Sequence, residues 1–322
     1  MSSVHRWTDP TATPDGLRPC VATFGNFDGV HLGHRAVLAR LVAEAAERHL
    51  PSVAVTFDPH PATIFHPDTL ELISPGRLRD ELLATTGIDG LLVLDFTEEF
   101  AQQTAEEFIV HTFVETLGVR AIVVGEDARG FGRGYTGDVG TLAALGEVHG
   151  FDVIVLEDLG NGERWSSSAV RRHLAAGEIA QASAILGRPH RMTGTVVHGA
   201  HRGRELGYPT ANLSPDSLGL VPADGVYAGW LTRVSKPEND PERTLPAAIS
   251  VGTNPTFDGT LRTVEAYVLD RTDLDLYDEE VTVEFVHRIR PTLRFDSIEE
   301  LLEAMAGDID TCRQVLASIV PS

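Results

Sequence analysis

The chain has 322 residues, 42% hydrophobic and 23% charged, which suits a globular protein of two domains at ~100–200 residues each. Its formal net charge of -21 argues against a nucleic-acid partner, which needs clustered Lys and Arg, and any anionic ligand must be held by local groups. Cys20 and Cys312 are the only cysteines and lack metal-like spacing, the N-terminal stretch has no apolar signal core, and no apolar run approaches the ~20 residues that span a bilayer, so the reading is cytoplasmic with no membrane partner.

In chain order, Val21–Phe24 reads as a buried strand. The stretch His34–His49 carries Val37, Leu38, Leu41, Val42 and Ala45 at helical spacing. Val53–Phe57, Gly90–Leu94, Ala121–Val124 and Val153–Leu156 read as further strands. Arg77–Thr85, Ala105–Leu117, Thr141–His149, Ser168–Ala176 and Ile179–Leu186 read as helices. Strands alternating with helices predict a parallel sheet covered on both faces. After Gly187-Arg188-Pro189 the pattern changes to short strands between turns, which predicts a small antiparallel barrel or sandwich. Ser235–Pro246, with three prolines, reads as a long hairpin loop, and a final amphipathic helix runs from about Ser297 to Ile319. The predicted division is 1–187 and 188–322.

Two strings carry chemistry. In the first half, Gly25-Asn-Phe-Asp-Gly-Val-His-Leu-Gly-His34 joins the first strand to the first helix. Gly25, Gly29 and Gly33 let the backbone turn and approach a ligand. His31 and His34 then sit at the helix N-terminus, where unpaired N–H groups and the macrodipole favour a phosphate. Two lone histidines are more often surface residues, but a pair in a glycine-rich strand-to-helix loop reverses that weighting. In the second half, Gly199, Gly203 and Gly207 form a loop whose N–H groups can cradle phosphates. Pro209 sets the chain direction before Thr210. Thr210 and Asn212 are two apart, so an extended segment presents both on one face as hard ligands for Mg²⁺.

GNFDGVHLGH resembles the nucleotidyltransferase signature of bacterial bifunctional riboflavin kinase/FAD synthetases, as do Thr56-Phe-Asp-Pro-His-Pro61, Val124-Gly-Glu-Asp127 and Ser166-Ser-Ser-Ala-Val-Arg171. Gly199-Ala-His-Arg-Gly-Arg-Glu-Leu-Gly-Tyr-Pro-Thr-Ala-Asn212 is similar to the riboflavin kinase motif of the same family. The likeness continues through Pro222–Ala228, Ser250–Phe257, Val264–Asp270, Leu276-Tyr277 and the strand ending at Arg290. The resemblance implies a Rossmann-like nucleotidyltransferase domain followed by a riboflavin kinase barrel with a terminal helix. It implies phosphorylation of riboflavin to FMN and adenylylation of FMN to FAD, with ATP as co-substrate and Mg²⁺ as cofactor. It assigns His31, His34 and Arg171 to catalysis of adenylyl transfer and Glu265 as the kinase base. Gly25, Asn26, Phe27, Gly33, Asp127, Ser166, Ser167 and Ser168 would bind ATP in the first module, and Gly199, Arg204, Gly207, Pro209 and Thr210 in the second. Asp58, His60, Asn254 and Arg290 would hold the flavin, and Thr210 and Asn212 the metal. Its partners are small molecules, and the sequence leaves a homo-oligomer open.

Two departures from the family pattern stand out. Where the family reads V-G-x-(D/N)-F-x-F-G, this chain has Val124-Gly-Glu-Asp-Ala-Arg-Gly-Phe-Gly132, with Ala in place of the first Phe and one residue more before Phe131. The alternative this raises is a riboflavin kinase with an impaired adenylyltransferase module. Asp278 also follows Leu-Tyr where Gly is common.

Overall fold

The computed structural model describes residues 4–65, 70–157, 164–199, 207–256, 259–319 and 321. It divides into two compact units, Met1–Ser166 and Ser167–Ser322.

The first unit holds a six-stranded sheet among the described residues, with β1 (His5–Trp7), β2 (Val21–Phe24), β3 (Ser52–Asp58), β4 (Gly90–Asp95), β5 (Ala121–Gly125) and β8 (Asp152–Leu156) in the order β1-β4-β3-β2-β5-β8. Each neighbouring pair is parallel. The apolar runs in β3, β4 and β5 are buried on both faces, which explains why they read as continuous hydrophobic stretches rather than alternating ones. From β2 the chain moves through β3 to β4 on one side, then returns to place β5 on the other side of β2. The sheet therefore reverses direction between β2 and β5, and its ligand crevice is expected beyond their carboxyl ends. A short hairpin, β6 (Arg129–Phe131) with β7 (Gly137–Asp138), follows β5. Neither β1 nor this hairpin was legible in the hydrophobic pattern, because both are short and carry few apolar residues.

Helix α1, Leu32–Arg48, follows β2 and ends at His49, whose left-handed backbone directs its N–H to Ala45 and Ala46 carbonyls. The short α2, Pro61–Phe65, and α3, Arg77–Ala84, come next. The helix expected over Ala105–Leu117 is in fact an α-helical turn, α4 (Ala105–Phe108), continued by a π-helical stretch over Ile109–Thr116. The wider winding brings Phe108 and Phe113, five residues apart, into an edge-to-face contact at 5.4 Å; α-helical winding would carry them to different faces. Helix α5, Val139–His149, is capped by the Asp138 carboxylate, which accepts from Thr141 N.

The second unit opens with α6 (Ser167–Ala176) and α7 (Ile179–Leu186). The change of sequence pattern at Gly187 thus falls after two helices that pack with the barrel. The α7 residues Ile179, Ala182, Ile185 and Leu186 are buried, and the carbonyls of Leu174 and Ala176 accept from Ala223 N and Arg288 Nη1. Strands β9 (His190–Val197), β10 (Ala211–Leu213), β11 (Gly225–Arg233), β12 (Thr244–Thr256), β13 (Gly259–Val268) and β14 (Glu280–Arg290) form a closed barrel in the order β10-β13-β12-β11-β14-β9. All its pairings are antiparallel, with β9 on β10 completing the closure. The loop expected over Ser235–Pro246 is shorter than that, because Leu245 and Pro246 already pair with Leu231 and Trp230. Helix α8, Ile298–Leu316, starts where Ser297 accepts from Glu300 N, and buries Ile309, Cys312 and Leu316 against Ala228, Trp230 and Leu269.

Candidate functional site

In the first unit, the loop from Gly25 to His31 leaves the carboxyl end of β2 at the reversal point. Gly25 N donates to Val55 O at 3.1 Å, and the Asn26 carbonyl accepts from Thr56 Oγ1 at 3.4 Å. Three residues then take the left-handed region: Phe27 (φ 51°), Gly29 (φ 82°) and Val30 (φ 41°). Glycine adopts this freely, but the other two cost roughly 1–2 kcal/mol each. Burial offsets that cost, since Phe27 and Val30 pack with Leu38, Leu41 and Val123 in one core cluster.

His31 is the N-cap of α1, its Nδ1 accepting from His34 N at 3.4 Å. The His34 ring stacks on that of His31 at 3.6 Å and meets the Phe27 ring edge-on at 5.3 Å. A Cβ at Gly33 would stand 3.1 Å from the His31 ring, so a larger residue there would crowd it. Burial, with Arg164 as the lesser cause, pushes His31 down to about 4; burial and the neighbouring His31 hold His34 well below the usual imidazole range. Both rings are therefore neutral at pH 7. Because His31 Nδ1 accepts, its proton sits on Nε2, which can donate to a ligand.

Asp127, two residues beyond β5, pairs with Arg164 Nη2 at 2.5 Å. Arg164 was not singled out from the sequence, where it stands just before the serine run. Ser166 closes the first unit, while Ser167, Ser168 and Arg171 begin α6 in the second. Asp58 is the exposed last residue of β3; its carbonyl accepts from Phe96 N, and His60 Nδ1 accepts from Ala62 N at 3.1 Å. Around these strand ends lies an aromatic cluster that the sequence reading missed: Phe24, Phe57, Phe96, Phe100, Phe108 and Phe131.

The unusual Val124–Gly132 segment is absorbed without loss of that cluster. The β6–β7 pairing shifts register between Arg129 and Phe131, across Gly130. Phe131 thereby meets Phe24 edge-on at 5.3 Å, and Ala128 packs against the same core. Gly132, at φ 73°, lies so close to the Ala105 backbone that a Cβ would collide with it.

In the second unit, β10 lies between β9 and β13. Asn212 is directly opposite Glu265 on β13, so their side chains share a face. Thr210 Oγ1 donates to Glu265 Oε2 at 3.2 Å, and Asn212 Nδ2 donates to Thr210 O at 3.1 Å and to Thr210 Oγ1 at 3.3 Å. Asn212 Oδ1 faces Gly199, where a Cβ would approach it to 2.5 Å. The three predicted residues are thus brought together as a half-buried set of hydroxyl, amide and carboxylate oxygens. Beside it, the rings of His198 and Tyr277 are 3.9 Å apart. Gly207 (φ 87°) and Pro209 lead into Thr210. Arg204 lies outside the described residues, as does the side chain of Asn254, whose backbone pairs with Leu261.

Arg290 has a partner of its own. Its Nε donates to Asp308 Oδ1 at 2.9 Å and its Nη2 to Asp308 Oδ2 at 2.7 Å, tying the end of β14 to α8. Nη1 donates to Pro291 O at 3.1 Å. Cys20 and Cys312 are free and buried, and burial pushes both thiols up to about 12, so neither is a nucleophile at neutral pH.

Residues 13–170 match the FAD synthetase family and residues 186–316 the riboflavin kinase family. A bifunctional riboflavin kinase/FMN adenylyltransferase of Escherichia coli (strain K12) is 38% identical over 309 residues, covering 94% of this chain and 95% of the relative. The chain belongs to this family. A second member, from Pseudomonas fluorescens, is 38% identical over 306 residues, covering 93% of this chain and 94% of its own. Among solved structures, a protein of Streptococcus pneumoniae titled a macrolide-efflux protein shares the fold at a TM-score of 0.84 and 31% identity, covering 96% of this chain and 98% of its own. Among the described residues, no helix is long and apolar enough to cross a membrane.

Proposed function

We propose that this family member makes flavin nucleotides in two steps at two sites: it phosphorylates riboflavin to FMN with ATP, and adenylylates FMN with a second ATP to FAD and pyrophosphate. The observation that carries the reading is that one chain holds both the stacked His31–His34 pair at the sheet's reversal point and the Thr210–Asn212–Glu265 cluster on the barrel. Residues 1–187 are assigned to adenylyl transfer and 188–322 to phosphorylation, in the cytoplasm.

For phosphorylation, Glu265 accepts the proton of the ribityl 5′-hydroxyl as that oxygen bonds to the γ-phosphorus of ATP and the bond to the β-bridging oxygen breaks, releasing ADP. The Thr210 hydroxyl holds the carboxylate in place. Thr210 Oγ1 and Asn212 Oδ1 are hard oxygen donors of the kind that hold Mg²⁺ alongside substrate phosphates, and no larger cage of acidic or histidine ligands occurs among the described residues. Bound there, the ion would neutralise charge on the transferring phosphoryl group.

For adenylyl transfer, an FMN phosphate oxygen attacks the α-phosphorus and pyrophosphate leaves. The nucleophile is already an anion, so the protein's task is alignment and stabilisation of the leaving charge. Neutral His31 and His34 are suited to donate N–H bonds to phosphate oxygens. Asp127, Asp58 and His60 stand at the carboxyl ends of β5 and β3, beside the aromatic cluster. The Phe131 contact retained despite the altered segment favours this reading over a disabled first module.

The test is incubation of the full chain with riboflavin, ATP and Mg²⁺, followed by chromatographic separation of FMN from FAD. FMN and then FAD should accumulate. FMN without FAD, even from supplied FMN, would leave only the kinase.

A further inference from the structure

Asp28 sits inside the GNFDGVHLGH string, yet no role in the chemistry above falls to it. It is 3% exposed. Its Oδ2 accepts from Ile73 N at 3.1 Å and its Oδ1 from Ser74 N at 2.8 Å. Ser74, itself buried, returns the contact: its Oγ accepts from Gly29 N at 2.7 Å and lies 3.5 Å from Asp28 Oδ1. The loop and the segment before α3 are therefore cross-linked by a closed ring of hydrogen bonds, though they lie 45 residues apart in sequence.

The position of this ring matters. Asp28 lies between Phe27 and the Gly29–Val30 pair, the three residues held at left-handed φ. His31 follows at once, and His34 is one helical turn further on. Released from Ile73 and Ser74, Phe27 and Val30 would relax toward ordinary backbone angles. Relaxation there swings the N-cap residue and misplaces the stacked ring pair. We infer that Asp28 is a positioning residue for adenylyl transfer: its carboxylate holds the strained loop so that His31 and His34 face the phosphates. The inference rests on the proposed role of the two histidines.

The test uses the full chain, in which riboflavin phosphorylation by the second unit serves as an internal control. Asp28→Asn keeps size but turns one acceptor into an NH2 group facing a backbone N–H. FAD formation from supplied FMN should fall about 10- to 100-fold in kcat, the scale of an ångström-level misplacement, with little change in the KM for ATP, because the buried Asp28 carboxylate faces Ile73 and Ser74 rather than open solvent. Ser74→Ala, a milder change that removes only the hydroxyl, should move kcat in the same direction by less. The deciding measurement is the cycle with the His31→Ala/His34→Ala pair. If Asp28 acts through the histidines, Asp28→Asn should cost nothing further once both rings are gone. Losses that multiply in the combined variant, or an Asp28→Asn protein and a Ser74→Ala protein that both adenylylate at the parent rate, would overturn the inference. A parent chain that makes no FAD would instead sink the adenylyltransferase reading on which it stands.

Discussion

Replacing Asp308 by alanine tests what Arg290 is for. The sequence likeness assigns Arg290 to the flavin, whereas its guanidinium is engaged by Asp308 through Nε and Nη2 at the junction of β14 and α8. The side chains are 19% and 10% exposed. Breaking a fully buried ion pair by removing one partner costs ~3–5 kcal/mol, mostly from the stranded charge. Arg290 keeps some access to water, so the low end applies, about 3 kcal/mol. For a unit of this size, 1 kcal/mol shifts Tm by roughly 2–4 °C, so Asp308→Ala should lower the melting temperature of the barrel unit by about 6–12 °C. Differential scanning calorimetry reads the shift, and quenching of riboflavin fluorescence reads the affinity. If Arg290 is chiefly a structural anchor, riboflavin affinity at 20 °C should be within about twofold of the parent, less than 0.5 kcal/mol. A Tm within a degree of the parent, or a tenfold loss of riboflavin affinity in a fully folded variant, would refute the assignment.

Glu265→Gln preserves the acceptor for the Thr210 hydroxyl but removes the proton acceptor; riboflavin phosphorylation should fall about 10²–10⁴-fold while FMN conversion to FAD stays unchanged, as read by single-turnover product analysis. Thr210→Ala should weaken Mg²⁺-ATP affinity along with turnover, measured by the Mg²⁺ dependence of the rate. Replacing His31 and His34 together by alanine should lower FAD synthesis by ~10²-fold or more and leave FMN formation near normal; equal loss of both would mean the sites are not distinct. His190 offers a pH test: it is buried, its Nε2 donates to Leu220 O at 2.6 Å, and burial pushes it down to about 4. The unfolded chain therefore takes up a proton below pH 6.5 that the folded chain refuses until about pH 4, so stability falls as pH drops through that window, by about 3 kcal/mol at its lower end. Urea titrations of the parent and of His190→Gln should diverge in pH slope across that window, and parallel slopes would exclude His190 as a source of acid sensitivity.

Much of the first unit was legible because its signals are local. The strands Val21–Phe24, apolar but for Thr23, and Gly90–Leu94 are short apolar runs, and the helix Leu32–Arg48 repeats apolar residues at its own period, so burial dictates the element. The π-helical stretch at Ile109–Thr116 was not legible, since its cause is a contact with a core that no local window contains. The hairpin strand Arg129–Phe131 is too short to show a pattern, and its Phe131 meets Phe24, over a hundred residues away.

The sites divide in the same way. The residue types, the glycine spacing and the Thr-x-Asn pair are covalent facts of the chain; they point to phosphate and metal binding, and the family resemblance implied the reactions. Facts of tertiary structure are another matter. Only the closed barrel sets Asn212 opposite Glu265, because pairing of β10 with β13 is a register and not a spacing. Burial, more than the charges of Arg164 and His31, holds His31 and His34 below the usual imidazole range, and burial depends on what the fold packs around a ring. Arg290 and Asp308, eighteen residues apart, meet because α8 packs back onto the barrel, a contact that no spacing in the sequence announces.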